Sequence, residues 1–249
     1  MLIIHKYNIN LILMNYRIIN YSNNCYLNVI LQILLNTFTK DIVLPNLTLI
    51  KKIINDKKYN IICPKTVLNQ LKNKMNITIQ NDAQEALIQY IDTDDKLQTF
   101  FDGKIKTSMK CLECNTIRNC EEGFITFNIY SDSLKDSIEN TLNNERIILE
   151  CDKCKKKTLT FKRVSLNKLP KILIFHNIMK LDINIPTKIC LDDKRYVLNG
   201  IVNHIGNSFD SGHYIYLDIP NKQIFDDTNI HDLKNIPKKN NYLIIYNKI

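Results

Sequence analysis

Long apolar runs, tryptophan and arginine are scarce in this sequence of 249 residues. It has no tryptophan, five glycines, and only five arginines among its 34 basic residues. No apolar run approaches the length of a membrane span, and polar residues such as His5, Lys6 and Asn15 interrupt the N-terminal stretch. We therefore expect neither a membrane segment nor a signal peptide. This pattern favours an intracellular protein of the cytoplasm or the nucleus.

The composition is that of a folded chain with a basic surface. Apolar residues make up 45% and charged residues 24%, which is enough to bury a core and excludes wholesale disorder. The formal net charge is +9, but the lysines are scattered evenly along the chain. An even scatter indicates a solvated surface, so we expect no nucleic-acid partner.

Helical patterns come first in the chain and strand patterns follow. Apolar residues in 26–35 recur at helical spacing, and 81–92 is a second amphipathic stretch with Asp82 and Glu85 in its first turns. Residues 41–80 read as further helices and loops. From about residue 104 short apolar runs predict strands, among them 123–130, 146–150 and 241–246. This order predicts an α+β fold with the site between the two layers.

Four of the eight cysteines form two Cys-x-x-Cys pairs, Cys111 with Cys114 and Cys151 with Cys154. Two residues between ligands allow one tight turn to direct both sulfurs at one metal ion, so we expect one structural zinc. The pairs are 36 residues apart, and we expect them to cap a hairpin-like extension. Two unrelated buried pairs or a redox motif are the alternatives.

Cys25 stands at the predicted start of the first helix, where the helix dipole and free backbone N–H groups favour a thiolate. Such a cysteine becomes a nucleophile when a histidine lies beside it and a third polar group orients that histidine. His213 begins a predicted strand, and Asp226 follows the next one. Two neighbouring antiparallel strands would bring Asp226 beside His213.

Five blocks of the sequence resemble those of the ubiquitin-specific proteases, a family of papain-like deubiquitinating cysteine peptidases. They are N-Y-S-N-N-C-Y-L-N-V-I-L-Q at 20–32, Q-N-D-A-Q-E at 80–85, the two Cys-x-x-Cys pairs, L-P-K-I-L-I-F-H at 169–176, and the histidine box, which runs from 196 through G-H-Y at 212–214 and F-D-D at 225–227 to Y-L-I-I-Y at 242–246. The two Cys-x-x-Cys pairs fall where this family carries its zinc-bearing fingers. The resemblance covers nearly the whole chain.

The resemblance implies one catalytic domain over 1–249 with a papain-like α+β fold. Its parts would be a helical thumb at about 1–103, zinc-bearing β fingers at about 104–165 and a β palm at about 166–249. The implied activity is that of a thiol isopeptidase that cleaves after the C-terminal glycine of ubiquitin in conjugates. Ubiquitin and ubiquitinated proteins would be the partners of a monomeric enzyme without a membrane partner.

The resemblance also assigns roles to single residues. Cys25 would be the nucleophile and His213 its general base, while His204 matches a histidine that is not catalytic. Asp226 would orient His213, and Asp227 would be a second acidic position. Asn20 would donate a hydrogen bond to the oxyanion. Contacts to the substrate tail would come from Asp82, Glu85, Gly212 and Tyr214.

Three other functions remain open at this point. The chain is either an enzyme or an inactive relative that binds ubiquitin or a scaffold partner, and all three reacting groups are present, which favours the enzyme. A protease for a ubiquitin-like modifier would use the same chemistry. A basic zinc-ribbon protein that binds nucleic acid would need arginine and aromatic clusters, for which five arginines are few.

Overall fold

The computed structural model describes residues 16–21, 23–38, 61–206 and 211–249. The helices and loops predicted between 41 and 60 therefore lie outside the described residues. Five helices and fourteen strands are present in the described part, and the helices precede most of the strands, in agreement with the α+β prediction. Within the described residues, no helix combines the length and the apolar character that a bilayer crossing requires.

Short polar side chains cap three of the five helices in the described part. The helices are α1 (Cys25–Phe38), α2 (Lys65–Leu71), α3 (Ala83–Ile91), α4 (Asp95–Phe101) and α5 (Leu134–Thr141). The carboxylates of Asp82 and Asp94 accept backbone N–H groups in the first turns of α3 and α4, and the Ser133 hydroxyl does so for α5. These caps satisfy N–H groups that have no partner inside a helix, and they fix where these three helices start.

One sheet consists of two hairpins placed side by side in the order β4-β3-β7-β6. Its strands are β3 (Gly103–Cys111), β4 (Ile117–Phe124), β6 (Glu145–Cys151) and β7 (Lys156–Lys168). Each Cys-x-x-Cys pair lies in the turn of its own hairpin, and the antiparallel β3–β7 pairing brings the two turns to the same end of the sheet. The expected single hairpin-like extension is therefore a pair of hairpins.

A larger, eight-stranded sheet has the order β13-β12-β11-β10-β14-β8-β5, with β9 also paired to β10. Its strands are β5 (Thr126–Asn128), β8 (Ile172–His176), β9 (Lys188–Leu191), β10 (Lys194–Ile205), β11 (His213–Asp218), β12 (Gln223–Asp226), β13 (Asn229–Asp232) and β14 (Asn241–Lys248). A short parallel pair, β1 (Arg17–Ile18) with β2 (Ile61–Ile62), lies beside the helices.

One strand within residues 104–165 belongs to the eight-stranded sheet and not to the four-stranded one. β5 lies inside 104–165, yet it pairs in parallel with β8 of the eight-stranded sheet, because Phe127 and Ile129 are buried against that sheet and not between the hairpins. Residues 123–130, expected to form one strand, are split between β4 and β5 at Ile125. The chain thus leaves the four-stranded sheet after β4 and returns to it at β6.

Helix α1 lies at the centre of the main core. The residues predicted for its apolar stripe, Leu27, Ile30, Leu31, Leu34 and Leu35, are all buried. They belong to one cluster that joins α1 and α3 to the face of the eight-stranded sheet that carries Tyr214 and Tyr216. A second cluster on the other face includes Phe175, Leu198 and Ile138 of α5. This packing brings the N-terminus of α1 close to the start of β11.

Candidate active site

Cys25 is the first residue of α1 and is 3% exposed. The carbonyl of Asn24, directly before it, accepts the first bonds of the helix from the N–H groups of Leu27 and Asn28, at 3.0 Å each. The backbone therefore turns into the helix just as it reaches Cys25. The thiol therefore lies at the positive end of the helix dipole.

His213 connects Cys25 to Asp226. The ring atom Nε2 of His213 lies 2.6 Å from Oδ1 of Asp226, and the side chain of Cys25 is within hydrogen-bond reach of the same ring. The hydrogen bond to Cys25 is the strongest influence that raises the pKa of His213, Asp226 adds to it, and the pKa reaches about 9 although partial burial opposes the shift. His213 is therefore an imidazolium at neutral pH. With Nε2 held by Asp226, the ring offers Nδ1 to Cys25.

The strand pairing explains why these two residues meet. β11 and β12 are antiparallel neighbours with Tyr216 opposite Phe225, and this register places Asp226 opposite Ile215. His213 lies two residues before Ile215 on the same face, so His213 and Asp226 are diagonal neighbours across the pair. The structure brings together the Cys25, His213 and Asp226 proposed from the sequence.

Asp227 serves different partners from Asp226. One of its carboxylate oxygens accepts the side-chain amide of Asn20 at 2.8 Å, and the other accepts that of Asn28 at 2.6 Å. Its backbone carbonyl accepts the N–H of Ile18 at 3.0 Å. Asp227 therefore ties the segment before Cys25, and the first turn of α1, to the end of β12.

A network of asparagines surrounds the start of α1. The Asn20 side-chain oxygen accepts the backbone N–H of Asn24 at 3.2 Å, and the Asn24 amide donates to the side-chain oxygen of Asn28 at 2.9 Å. Asn24 and Asn28 are 4% and 3% exposed. These two buried residues were not proposed from the sequence. The sequence pattern that marks them is a polar residue at every fourth position of a mostly apolar helix, and Gln32 continues this pattern.

Gly212, directly before His213, is enclosed on two sides. Its N–H donates to the side-chain oxygen of Gln80 at 3.3 Å, and its carbonyl accepts the Gln80 amide at 2.6 Å. A Cβ on Gly212 would lie 2.5 Å from Nε2 of His204, and its φ of +156° is one that side chains rarely adopt. The close packing on His204 is thus a structural reason for glycine here.

The second histidine of the box lies in a different environment. His204 is 4% exposed, its ring is 4.4 Å from that of Tyr214, and neither ring nitrogen has a hydrogen-bond partner within the described part of the chain. Burial lowers the pKa of His204, and the nearby charges of Lys180 and His213 lower it further, although Asp82 opposes them. His204 is therefore neutral at pH 7, packs behind Gly212, and has no carboxylate partner comparable to Asp226.

The structure gives the residues expected to contact the substrate tail unequal roles. Asp82 has both carboxylate oxygens engaged, one by the N–H groups of Gln84 and Glu85 at 2.7 and 2.9 Å and the other by the hydroxyl of Tyr242. Tyr214 is 1% exposed. Asp82 is half-buried and caps α3, Tyr214 is buried, and Glu85 is exposed. Contacts of these residues with a substrate tail stay predictions.

The four cysteines of the Cys-x-x-Cys pairs converge at the end of the four-stranded sheet. Their sulfurs lie within 4.8 Å of one another, with 3.6 Å between Cys114 and Cys151 and 4.0 Å between Cys111 and Cys154. A tetrahedral site with zinc–sulfur bonds of about 2.3 Å requires sulfur–sulfur distances of about 3.8 Å. The donor set and its spacing therefore fit a zinc ion.

The two turns that carry these cysteines have the same geometry. In each, the N–H of the fourth residue after the first cysteine bonds back to that cysteine's carbonyl, from Asn115 at 3.0 Å and from Lys155 at 2.8 Å. Both residues have a positive φ, 58° and 54°. Repetition of one knuckle geometry on two hairpins is evidence that the turns form one site rather than two unrelated cysteine pairs.

Comparison with known proteins agrees with this geometry. The model of the family described as ubiquitin carboxyl-terminal hydrolase matches residues 16–246. The chain belongs to this family. The resemblance to ubiquitin-specific proteases, drawn from the five sequence blocks, is thereby confirmed.

Individual relatives are distant and longer. Ubiquitin carboxyl-terminal hydrolase 23 of Arabidopsis thaliana is 25% identical over 140 residues, which cover 46% of this chain and 16% of that protein. Ubiquitin carboxyl-terminal hydrolase 47 of Drosophila melanogaster is 30% identical over 135 residues, covering 45% and 8%. The probable ubiquitin carboxyl-terminal hydrolase 9 of Schizosaccharomyces pombe is 25% identical over 182 residues, covering 59% and 30%. The matches thus span less than a third of each of these relatives.

The fold is shared with a solved member of the deubiquitinase group. A chain of the SAGA DUB module with Ubp8, Sgf11, Sus1 and Sgf73, bound to monoubiquitin, superposes with a TM-score of 0.74 at 18% identity. The match covers 94% of this chain and 69% of that chain. It shows that the family's papain-like fold, with mixed helix and sheet, extends over nearly all of this chain.

Proposed function

We propose that this chain is a cysteine-type deubiquitinase that hydrolyses the isopeptide bond after the C-terminal glycine of ubiquitin. The observation that carries the proposal is the assembly of Cys25, His213 and Asp226, with the thiol at a helix start and the imidazole 2.6 Å from the carboxylate. Family membership supports the same chemistry. An inactive binding module is less well supported, because none of the three reacting groups is missing or displaced.

The first half of the reaction forms a thioester. The Cys25 thiolate attacks the carbonyl carbon of the terminal glycine, and the carbonyl oxygen takes up negative charge. His213, protonated at neutral pH because its pKa is about 9, transfers its proton to the departing lysine amine as the carbon–nitrogen bond breaks. Asp226 holds the imidazole in the orientation that this transfer requires.

The second half regenerates the enzyme. His213, now neutral, accepts a proton from water, whose oxygen attacks the thioester carbon. The carbon–sulfur bond then breaks, ubiquitin leaves with a free carboxylate, and the Cys25 thiolate again faces an imidazolium. Within the enzyme only His213 gains and loses a proton during the cycle, and the proton of the new carboxyl group goes to solvent.

Asn20 and the backbone N–H of Cys25 would stabilise the oxyanion. The Asn20 side chain has two N–H donors, and only one of them is needed for the bond to Asp227 at 2.8 Å. That bond, together with the N–H of Asn24 on the Asn20 oxygen, fixes the amide plane before substrate arrives. A fixed donor needs no reorganisation as charge develops, which is the basis of oxyanion stabilisation. Asp227 thus acts on the reaction through Asn20.

We further propose that the three parts of the fold act as thumb, fingers and palm around ubiquitin. The helices would form the thumb, the four-stranded sheet the fingers and the eight-stranded sheet the palm. The exposed carboxylate of Glu85 at the start of α3 is placed to meet the basic tail of ubiquitin. The Ubp8-containing neighbour is bound to monoubiquitin, in line with ubiquitin as the partner.

One zinc ion would be held by Cys111, Cys114, Cys151 and Cys154. Four thiolates close the tetrahedral coordination sphere, so such an ion supplies structure and offers no position for a reacting water. Its effect would be to join the two hairpin turns at the end of the fingers sheet.

The test of the proposed function is hydrolysis of isopeptide-linked diubiquitin by the wild-type chain, with Cys25→Ser as the inactive control. We expect free ubiquitin from the wild type and none from the variant. Parallel reactions with conjugates of ubiquitin-like modifiers separate the substrates. Cleavage of such a conjugate without cleavage of diubiquitin would transfer the proposal to that modifier, and binding of ubiquitin without any cleavage would establish the inactive module instead.

A further inference from the structure

The side chain of Gln80 pairs with the backbone of Gly212 as a second peptide group would. Its Nε2 donates to the Gly212 carbonyl at 2.6 Å, and its Oε1 accepts the Gly212 N–H at 3.3 Å. Gln80 lies two residues before Asp82, the residue that caps α3, and is 132 residues from Gly212 in the chain. The contact therefore joins the helical layer to the strand that begins with His213.

Gly212 has little freedom on its other side. A Cβ there would lie 2.5 Å from Nε2 of His204 and 2.7 Å from the carbonyl of Ile205, so the Cα already packs tightly against both. Gln80 and the His204 ring thus hold the same residue from two directions. The next residue in the chain is His213, whose ring has to reach both Cys25 and Asp226.

A displacement at Gly212 passes directly to His213, because a single peptide unit separates their Cα atoms. A second link between α3 and the sheet, from Asp82 to the hydroxyl of Tyr242, ends on β14 rather than on the strand of His213. Of these two links, the pair of hydrogen bonds between Gln80 and Gly212 is therefore the one that constrains the His213 imidazole.

We propose that Gln80 is a positioning residue for catalysis, which keeps the His213 ring within reach of Cys25 by holding the Gly212 peptide. This inference rests on the proposed function for its kinetic consequence, but the geometry of Cys25 and His213 can be measured without any ubiquitin substrate. Only a primary amide supplies both the donor and the acceptor that Gly212 requires at this position.

The test compares Gln80→Met with Gln89→Met. The first keeps the length of the side chain and removes both hydrogen bonds, and the second makes the same change within α3. For Gln80→Met we expect kcat to fall roughly 10- to 100-fold, the range that a small misplacement of a reacting group produces. KM should stay near the wild-type value, because Gln80 is engaged with the backbone of Gly212 and not with substrate. Gln89→Met should retain the wild-type kcat.

Two further readouts are independent of ubiquitin. The rate at which iodoacetamide alkylates Cys25, followed on the Cys25 peptide by mass spectrometry, should fall about tenfold in Gln80→Met as the imidazolium moves away. The pKa of His213, followed by NMR with His213→Ala for assignment, should drop from about 9 towards its ordinary value of about 6.5. If the wild type does not cleave ubiquitin conjugates, these two measurements still decide the role of Gln80.

A purely structural role predicts a different outcome. Gln80→Met would then unfold at a lower temperature while kcat, the alkylation rate and the His213 titration stayed at wild-type values, and that result would overturn the proposal. Should Gln80→Met fail to fold, Gln80→Glu takes its place, because the carboxylate still accepts the Gly212 N–H but opposes the Gly212 carbonyl. Unchanged alkylation and titration in Gln80→Glu would equally overturn it.

Discussion

Oδ1 of Asp226 lies 2.6 Å from Nε2 of His213, and this contact is part of what raises the pKa of His213 to about 9. Both side chains are about a third exposed, at 37% for His213 and 35% for Asp226, so water screens the pair in part. The contact orients the ring and adds to the larger influence of Cys25 that raises the pKa of His213. Its removal should therefore be visible both in the rate and in the pH dependence.

For Asp226→Asn we expect the basic limb of the pH profile of kcat/KM to move to lower pH. In the wild type, activity should decline as the pH rises through about 9, because His213 loses the proton that it donates to the leaving amine. Without the carboxylate charge the pKa of His213 falls, so the decline should begin earlier, and kcat should drop by roughly 100-fold or more. Asp227 should not restore the loss, since its carboxylate is engaged by Asn20 and Asn28.

The raised pKa of His213 also makes the stability of the fold depend on pH. Folding raises the pKa of His213 from about 6.5 to about 9, so the protonated ring stabilises the fold fully below the lower value. This contribution is lost as the pH rises through about 9. An Asp226→Asn variant whose basic limb and unfolding profile both matched the wild type would contradict the assignment of His213.

Asp227 and Asn20 should behave as one unit in a double-mutant cycle. Asp227→Ala releases the amide of Asn20, and Asn20→Ala removes it, so each should lower kcat by roughly 10²–10³, the cost of one oxyanion donor. The double variant should be little worse than either single variant, because both changes remove the same interaction. Asn36→Ala, on the same polar stripe of α1 but bonded to Gln32, is the matched control. Additive losses would show that Asp227 acts on the reaction by another route.

Substitution of His213 and of His204 should have different effects on turnover. His213→Ala should abolish turnover, because it removes the group that protonates the leaving amine. His204→Ala should keep measurable activity at a reduced level, since His204 is buried and neutral and packs against Gly212. Steady-state assays of both variants at pH 7 check this prediction. An inactive His204→Ala beside an active His213→Ala would mean that the histidine box has been assigned in the wrong register.

The zinc site should be structural. We expect elemental analysis to find about one zinc per chain, and chelation to lower the thermal stability. Cys151→Ser should lose the metal, whereas Cys120→Ser, on an exposed position of β4, should keep it. Folded, active protein without zinc would contradict this prediction.

Much of the site followed from the sequence because its signals are local. Cys25 stands at the start of a strongly apolar helix, and β11 and β12 are close enough in the chain for their pairing to be expected. The two Cys-x-x-Cys pairs were also predictable as metal ligands, because the spacing within each pair is set by a single turn. These features depend on neighbours in sequence and not on distant packing.

The features that sequence reasoning missed depend on contacts between distant segments. β4 carries mostly polar residues and is exposed along nearly its whole length, so its sequence shows no strand alternation. Gln80 gains its role only from Gly212, 132 residues away. The buried position of Asn28 could not be predicted, because the sequence has 33 asparagines and any of them fits a solvated surface. The hydrogen bond from Tyr242 to Asp82 likewise joins residues 160 positions apart.

The most direct test of the central claim is the site of reaction with a ubiquitin probe that carries a C-terminal electrophile. Peptide mass spectrometry should locate the ubiquitin adduct on Cys25 alone, and Cys25→Ala should not be labelled. Cys63→Ala and Cys190→Ala, which remove exposed thiols, should be labelled at the wild-type rate. An adduct on Cys63 or Cys190, persisting in Cys25→Ala, would contradict the account.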